Sequence, residues 1–260
     1  MSEAVLELST AGSVAHVRLA RPEVRNAFNA ELIAQLHQTF DRLSADQAIR
    51  AIVLSGDGKT FCGGADINWM RGSLELSRDE NVADAQRMSD MFRAIDTCSK
   101  PVIAKIHGAA LGGGAGLVAV CDVAITSDET VFGFTETKLG ILPAVISPFV
   151  LAKIGQSHAR ALFLTGERFN AVRAAIIGLV HEVVALTELD SAVERILNEI
   201  QTASPTAIAI AKKTIAQVTA ATYDASRDLT AHAIAAQRTS EEGQDGLRAF
   251  LERRKAKWAQ

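Results

Sequence analysis

The spacing of apolar residues at the N-terminal end of the chain predicts a hairpin, a helix and a buried strand. Residues 3–8 and 13–20 are β-rich or alternate apolar and polar side chains on either side of a turn at 10–12, which is typical of a β-hairpin. Residues 30–45 carry apolar side chains at helical spacing, which indicates an amphipathic helix. The apolar run AIVLSG at 51–56 leads into Gly-Asp-Gly, as expected of a buried strand.

The middle of the chain repeats this order of helix and strand. Apolar positions at helical spacing span 81–98, and the run PVIAKIHG at 101–108 predicts the next strand. CDVAIT at 121–126 predicts another, and the rhythm continues to GLVHEVV at 178–184. Strands that alternate with helices favour an α/β fold with mostly parallel pairing.

From about Leu186 the pattern becomes helical throughout. Residues 187–258 are rich in alanine, poor in glycine and periodic, which predicts four helices, one of them opened by Pro205. We therefore divide the chain into a core at 1–186, which holds the active site, and a C-terminal α-helical module at 187–260.

The composition is that of an ordinary globular protein, with 48% of the 260 residues hydrophobic and 22% charged. The net charge of −3 shows no basic excess of the kind that binds nucleic acid, and no apolar run reaches the ~18 residues of a membrane-spanning helix. Three cysteines without CxxC spacing favour a reducing compartment, and apolar surroundings indicate that Cys62 and Cys121 are buried rather than nucleophilic. No secretory signal pattern is present, so the expected location is the cytoplasm.

Two glycine-rich turns, FCGGADI at 61–67 and ALGGGAG at 110–116, carry the most informative pattern. Three consecutive glycines make a poor strand and a costly helix interior. One backbone N–H from each turn could converge on a carbonyl oxygen and stabilise an oxyanion, because small residues let the carbonyl approach. Either turn alone is explained as a tight strand-to-helix connection. Together with Glu136 downstream, an acid able to move a proton beside them, they favour a catalytic site.

Other chemistries lack their motifs in this sequence. The glycines do not form a GxGxxG fingerprint after an N-terminal strand, and no GxxxxGK[ST] loop is present, so both nucleotide folds are discounted. No cluster has metal-ligand spacing, and no nucleophile elbow occurs.

With these motifs in order, the chain resembles the crotonase (enoyl-CoA hydratase/isomerase) family over essentially its full length. The matching segments are RPEVRNAFN, FCGGADI, KPVIAKIHGAALGGGAGLVAVCD, FGFTETKLGILPA, GLVHEVV and EEGQDGLRAFLERRKAKW. The resemblance implies a spiral core of ββα turns with a C-terminal helical trimerisation module, and a homotrimer or a homohexamer built as a dimer of trimers. It also implies an acyl-CoA thioester substrate, of which coenzyme A is a part, and no separate cofactor.

The resemblance also assigns residues to the site. It places the oxyanion hole at the N–H groups of Ala65 and Gly113, and the proton-transfer group at Glu136. The residues that it implies for coenzyme A binding are Arg25, Ala65, Asp66, Ile67, Phe250 and Arg253. Two of these side chains have a simpler interpretation, because Asp66 can cap the following helix and Phe250 can pack in a helix core.

Gly116 is the departure from the family pattern. Family hydratases carry a second glutamate, which would fall at 116, whereas one glutamate is enough to move a double bond, as in family Δ3,Δ2-enoyl-CoA isomerases. The segments around the glycines and Glu136 look most like the bacterial methylglutaconyl-CoA and isohexenylglutaconyl-CoA hydratases, where glycine is usual at this position. Their substrates carry a carboxylate, for which Lys138, Arg71 and Lys105 are candidate cations.

We therefore expect an enoyl-CoA hydratase-type lyase that adds water to an α,β-unsaturated acyl-CoA, with a branched glutaconyl thioester as the expected substrate. The alternatives are a Δ3,Δ2-enoyl-CoA isomerase that uses Glu136 alone and a catalytically weak CoA-binding scaffold protein.

Overall fold

Two β-sheets form the framework of the computed structural model, which describes residues 4–259. The strands are β1 (Leu6–Ala11), β2 (Val14–Leu19), β3 (Ala51–Gly56), β4 (Val102–Ile106), β5 (Ala109–Leu111), β6 (Val123–Ser127), β7 (Val131–Gly133), β8 (Arg168–Asn170) and β9 (Glu182–Val184). The larger sheet has the order β1-β2-β3-β4-β6-β9, and β5, β7 and β8 form the smaller one. Pairing in the larger sheet is parallel except between β1 and β2. These sheets confirm the predicted α/β class.

Helices surround both sheets. They are α1 (Ala30–Ala45), α2 (Ile67–Ser73), α3 (Arg78–Asp96), α4 (Gly113–Val120), α5 (Ser147–Thr165), α6 (Ala171–Ile176), α7 (Leu189–Thr202), α8 (Pro205–Ala220), α9 (Tyr223–Thr239) and α10 (Glu241–Leu251). Helix α5 is interrupted at Gly155, whose φ is 71°. The predicted helix at 30–45 and strand at 51–56 coincide with α1 and β3, whereas residue 3 of the predicted first strand lies outside the described residues.

Polar caps explain where the two long N-terminal helices begin. The side chain of Asn29 accepts a hydrogen bond from the N–H of Leu32 at the start of α1 (2.8 Å). Ser77 and Glu80 form a capping box that starts α3 at Arg78, before the position that apolar spacing alone predicted. The apolar stripes of both helices pack into the same core.

The larger sheet has an apolar cluster on each face, because successive residues of a strand point to opposite sides. In β3, Ile52 and Leu54 belong to the main core, whereas Ala51 and Val53 belong to a second cluster. Helix α7 covers the second cluster through Leu189 and other apolar residues on the same stripe. Helix α7, which follows residue 186, therefore covers the second face of the core sheet. The predicted division of the chain at residue 186 stays a prediction.

Helices α8 and α9 lie outside these clusters. Neither helix buries a side chain, and apolar residues such as Ile215, Tyr223 and Ile234 are exposed. Lys212 of α8 is tied to the core by an ion pair with Asp122 (2.7 Å). The four α-helices α7 to α10 agree with the helical C-terminal pattern, within the part of the chain that the structure describes.

Burial explains the behaviour of the cysteines. Cys62 and Cys121 are buried, and loss of contact with water raises the pKa of each thiol to about 12. Neither thiol is therefore poised as a nucleophile. No helix within residues 4–259 is long and apolar enough to cross a membrane.

Candidate active site

The first glycine turn leads into α2, and hydrogen bonds hold its backbone on both sides of Ala65. The N–H of Phe28 donates to the carbonyl of Gly64 (2.7 Å), and the N–H of Asp66 donates to the carbonyl of Phe28 (2.9 Å). The N–H of Ala65, between these bonds, has no backbone acceptor among the described residues. The fold thus holds an unused donor in a fixed direction.

Glycine is required where the two turns approach each other. Gly64 has a φ of +100°, and a Cβ at this position would lie 3.0 Å from the carbonyl oxygen of Leu111. Gly112 in the second turn has a φ of +52°. Both values lie in the region that side chains rarely adopt, so substitution would strain the backbone and push the turns apart.

Gly113 is the first residue of α4, and its N–H is one of the donors that a helix start leaves unpaired. The partial positive charge at the helix N-terminus strengthens the hydrogen bond that this N–H can donate to an anionic oxygen. A Cβ at Gly113 would lie 2.9 Å from Cε2 of Phe28, and a Cβ at Gly114 would lie 2.4 Å from the carbonyl oxygen of Cys62. The consecutive glycines therefore let α4 begin directly against the first turn.

Glu136 opens a short 3-10 helix, Glu136–Leu139, beside the second turn. A Cβ at Gly112 would lie 3.2 Å from its Oε1, so the carboxylate lies over the bare backbone that precedes Gly113. Its Oε2 is buried with no hydrogen-bond partner among residues 4–259. Burial raises the pKa of Glu136, and its own backbone N–H offsets only part of this effect. Such a carboxylate is suited to accepting and returning a proton.

A cavity of about 380 Å³ brings the three predicted catalytic residues together, because Ala65, Gly113 and Glu136 all line it. The rest of the wall comes mainly from α2, α3 and the segment 139–146, and most of it is apolar. A second carboxylate, that of Asp84, belongs to the wall, whereas no lysine, arginine or histidine of the described residues does.

The place of the missing second glutamate is filled by apolar side chains. A Cβ at Gly116 would lie 2.4 Å from Cγ2 of Ile146 and 3.1 Å from Cζ of Phe92. Ile146 is almost fully buried, with 2% of its surface exposed, and it also lines the cavity. Any side chain at 116 would therefore require Ile146 to move, and the wall of the cavity is apolar there.

Comparison with known proteins agrees with this geometry. A family model described as enoyl-CoA hydratase/isomerase matches residues 9–260. The chain belongs to this family. It is 32% identical over 250 residues to the short-chain-enoyl-CoA hydratase of Clostridium acetobutylicum, with 95% of each chain covered. The predicted enzyme class is thereby confirmed, whereas the resemblance to methylglutaconyl-CoA hydratases stays a prediction.

Solved structures with the same fold confirm the crotonase architecture. An enoyl-CoA hydratase from Shewanella pealeana superposes with a TM-score of 0.95 at 34% identity, covering 99% of this chain and 97% of its own. Pseudomonas aeruginosa AtuE gives a TM-score of 0.96 at 34% identity, covering 99% of this chain and 100% of its own.

Asp66, one of the residues that the family resemblance implies for coenzyme A, caps α2 with its side chain. The carboxylate accepts the N–H groups of Asn68 (2.8 Å) and Trp69 (3.3 Å), and it pairs with Arg21 (2.9 Å). Burial acts to raise the pKa of Asp66, but these hydrogen bonds together outweigh it, so the pKa lies below its usual value. The side chain therefore serves the fold, the simpler of its two interpretations.

Arg25 and Ile67 lie next to the first turn without lining the cavity. Arg25 is exposed, and its carbonyl accepts the N–H of Gly63 (2.8 Å). Ile67 begins α2 and is 71% exposed. Both side chains are free to contact a ligand that extends out of the cavity.

Phe250 and Arg253 lie at the end of α10, and neither lines the cavity of its own chain. Phe250 is 82% exposed, so its interpretation as a helix core residue is wrong. The buried face of α10 consists of Asp245 and Ala249, and Phe250 points elsewhere because adjacent helical positions are separated by about 100°.

The three cations predicted for a substrate carboxylate lie elsewhere. Lys105 pairs with Asp190 of α7, on the far side of the sheet from the main core. Lys138 is exposed and runs past Gly166, and Arg71 is exposed on α2. None of them lines the cavity, because their elements turn these side chains outward.

Among the residues of the cavity wall that were not predicted, Asp84 and Ile146 bear most on its chemistry. Asp84 lies four residues before Met88 on α3, so the helical period that identified the apolar stripe could have placed it on the same face. Ile146 has no local signal, because its contact with Gly116 joins two separate helical segments. No group of three or more metal-binding side chains was found in the described part of the chain.

Proposed function

We propose that this protein hydrates α,β-unsaturated acyl-CoA thioesters, with Glu136 as the proton-transfer group. The observation that supports this most directly is the buried, unpartnered Oε2 of Glu136 in the same cavity wall as Ala65 and Gly113. Two free N–H donors and one free carboxylate oxygen are the groups that the addition of water to a conjugated thioester requires.

In the proposed reaction, the thioester carbonyl accepts hydrogen bonds from the N–H groups of Ala65 and Gly113. Attack at the β-carbon moves negative charge onto that oxygen, where the two donors and the N-terminus of α4 stabilise it. Losing one donor of this kind typically costs about 2.7–4 kcal/mol of transition-state stabilisation.

Glu136 handles the proton. Its ionised carboxylate takes a proton from the attacking water while the water oxygen bonds to the β-carbon, and the carboxyl group then delivers that proton to the α-carbon. The net change is addition of H and OH across the double bond, with Glu136 returned to its starting state. No cofactor beyond the coenzyme A of the substrate enters this scheme. A raised pKa suits a group that must both accept and release a proton.

The charge of the cavity favours a neutral acyl group. Glu136 and Asp84 both line it, and no cationic side chain of the described residues does. A carboxylate on the acyl chain would meet two like charges and no cation among the described residues of the cavity wall. The branched glutaconyl thioester stays a prediction from sequence resemblance, and we propose a neutral enoyl group as the preferred substrate.

Isomerisation of a 3-enoyl-CoA is the competing function, and the apolar wall at Gly116 favours it. Ile146 and Phe92 occupy the space where a second glutamate would lie. Moving a double bond needs one carboxylate that takes a proton from one carbon and returns it to another, and no water. The same Glu136 would serve this reaction.

Three thioesters separate these functions in a spectrophotometric assay: crotonyl-CoA, a 3-enoyl-CoA and 3-methylglutaconyl-CoA. We expect hydration of crotonyl-CoA. Turnover of the 3-enoyl thioester alone would mean that the protein is an isomerase and not a hydratase. A preference for 3-methylglutaconyl-CoA would support the carboxylated substrate. A folded protein that binds coenzyme A and turns over none of them would be the scaffold protein.

Assembly as a homotrimer, or as a dimer of trimers, is part of the proposal. Helices α8 and α9 bury no side chain within one chain, and Phe250 and Leu251 at the end of α10 are about four-fifths exposed, at 82% and 79%. Apolar surface of this kind is typical of an interface. Phe250 and Arg253 would then contact coenzyme A bound to a neighbouring subunit. Light scattering should give three or six times the chain mass, and a monomer would contradict the assembly.

A further inference from the structure

Asp84 is a carboxylate in the cavity wall that the proposed reaction does not use. It lies on α3, four residues before Met88, whose Cε would lie 3.0 Å from a Cβ at Gly113. Residues four apart share a helix face and differ by about 6 Å in axial position. Asp84 is therefore one helical turn along the wall from the residues that surround the thioester carbonyl.

Arg87 holds one side of this carboxylate. Nη2 of Arg87 donates to Oδ1 of Asp84 (3.0 Å), and no described residue donates to Oδ2. The Asp84 side chain is 16% exposed, whereas that of Arg87 is 62% exposed and does not line the cavity. Of the two residues in this ion pair, only Asp84 lines the cavity, and Arg87 is the more exposed.

We propose that Asp84 is a specificity residue that excludes negatively charged acyl groups from this cavity. The inference rests on the proposed acyl-CoA reaction and adds to it a preference for uncharged acyl groups. For an assumed separation of about 6 Å between the Asp84 carboxylate and an acyl carboxylate, and an effective dielectric constant of about 20, the repulsion weakens binding by about a hundredfold. The Asp84 side chain is 16% exposed, so solvent screens part of this repulsion, and we expect the share that Asp84 contributes to be about tenfold.

Asp84→Asn tests the exclusion, with Asp90→Asn as its matched control. Asp90 lies on the same helix and pairs with Arg93 at the same i,i+3 spacing (3.4 Å), but it does not line the cavity. The readout is the ratio of kcat/KM for 3-methylglutaconyl-CoA to that for crotonyl-CoA. Asp84→Asn should raise this ratio about tenfold, and Asp90→Asn should leave it unchanged. An unchanged ratio in Asp84→Asn would overturn the inference.

Arg87 variants separate exclusion by Asp84 from attraction by Arg87. Arg87→Gln removes the offsetting charge and should lower the ratio. The double variant Asp84→Asn/Arg87→Gln lacks both charges, so its ratio should be at or above that of the wild type. A ratio below wild type in the double variant would mean that Arg87 binds the acyl carboxylate, and the exclusion would be wrong.

Binding keeps this test independent of the reaction. If the wild-type protein turned over neither thioester, the proposed hydration would fail, and the same comparison would be made with dissociation constants of glutaryl-CoA and butyryl-CoA. Butyryl-CoA should bind to the wild type more tightly than glutaryl-CoA does. Asp84→Asn should reduce the ratio of these two dissociation constants about tenfold. Equal affinities of the wild type for both thioesters would overturn the role of Asp84.

Discussion

Ile146 occupies the space beside Gly116, so a side chain at 116 should destabilise the fold, and truncation of Ile146 should relieve part of that destabilisation. A Cβ at 116 would lie 2.4 Å from Cγ2 of Ile146, whereas carbon atoms pack at about 3.5–4.0 Å. Ile146 would have to retreat by about 1 Å inside a close-packed core. Overpacking of this kind costs about 1–3 kcal/mol, and alanine in place of glycine within a helix returns up to about 1 kcal/mol.

The expected magnitudes form a double-mutant cycle. Gly116→Ala should lower the free energy of unfolding by about 1–2 kcal/mol, because the contact is short enough for the upper part of the overpacking range. Ile146→Ala should lower it by about 2–5 kcal/mol, because it leaves a cavity. In the double variant the new methyl group enters that cavity. The closest contacts that remain there are 3.1 Å, to Cβ of residue 146 and to Cζ of Phe92. Gly116→Ala should therefore destabilise the Ile146→Ala protein by less than it destabilises the wild type.

Urea unfolding of the four proteins, followed by circular dichroism, measures this cycle if the m-values agree. Gly72→Ala is the control, because Gly72 lies within α2 and a Cβ there would meet nothing within 4 Å. This change should be neutral or stabilise by up to about 1 kcal/mol in both backgrounds. An equal effect of Gly116→Ala with and without the Ile146 side chain would refute the reasoning about the blocked site.

The remaining predictions concern charged residues. Glu136→Gln should lower kcat about 10²–10⁴-fold in a folded protein, and wild-type turnover would remove Glu136 from the mechanism. Because burial raises the pKa of Glu136, the folded protein should lose stability as the pH rises from the ordinary carboxyl pKa through the raised value. Urea midpoints measured across pH check this. The midpoint of Glu136→Gln relative to that of the wild type should be higher above this pH window than below it. Asp66→Ala removes a helix cap and leaves Arg21 unpaired, so it should lower the free energy of unfolding by about 1–3 kcal/mol, and Asp66→Asn, which can keep the cap, should lose less.

Local signals account for the parts of the fold that could be predicted. The helix α1 and the strand β3 follow from an apolar stripe and an apolar run, each readable within one segment. The smaller sheet was not predicted, because β5, β7 and β8 have three residues each and leave no alternation to recognise. The predicted start of α3 was too late in the chain, because a capping box and not the apolar stripe determines where this helix begins.

The same distinction holds in the site. Glycines at positive φ are visible in the sequence, so both turns could be located before the structure, whereas their two N–H groups were assigned through the family resemblance. What fills the space beside a glycine is not visible in this way. The contact between Gly116 and Ile146 depends on how α4 packs against the start of α5, and the outward direction of Lys105 depends on which face of the sheet its strand presents.

The structure therefore gives Gly116 a different meaning. As a departure from the two-glutamate pattern of family hydratases, it predicts a site with one carboxylate. The cavity nevertheless has two, because Asp84 lines it from α3. Asp84 lies one helical turn from Met88, whereas Ile146 makes the wall beside position 116 apolar. The effect of Asp84 should then fall on which acyl groups bind rather than on proton transfer, so Asp84→Asn should change substrate ratios where Glu136→Gln changes kcat.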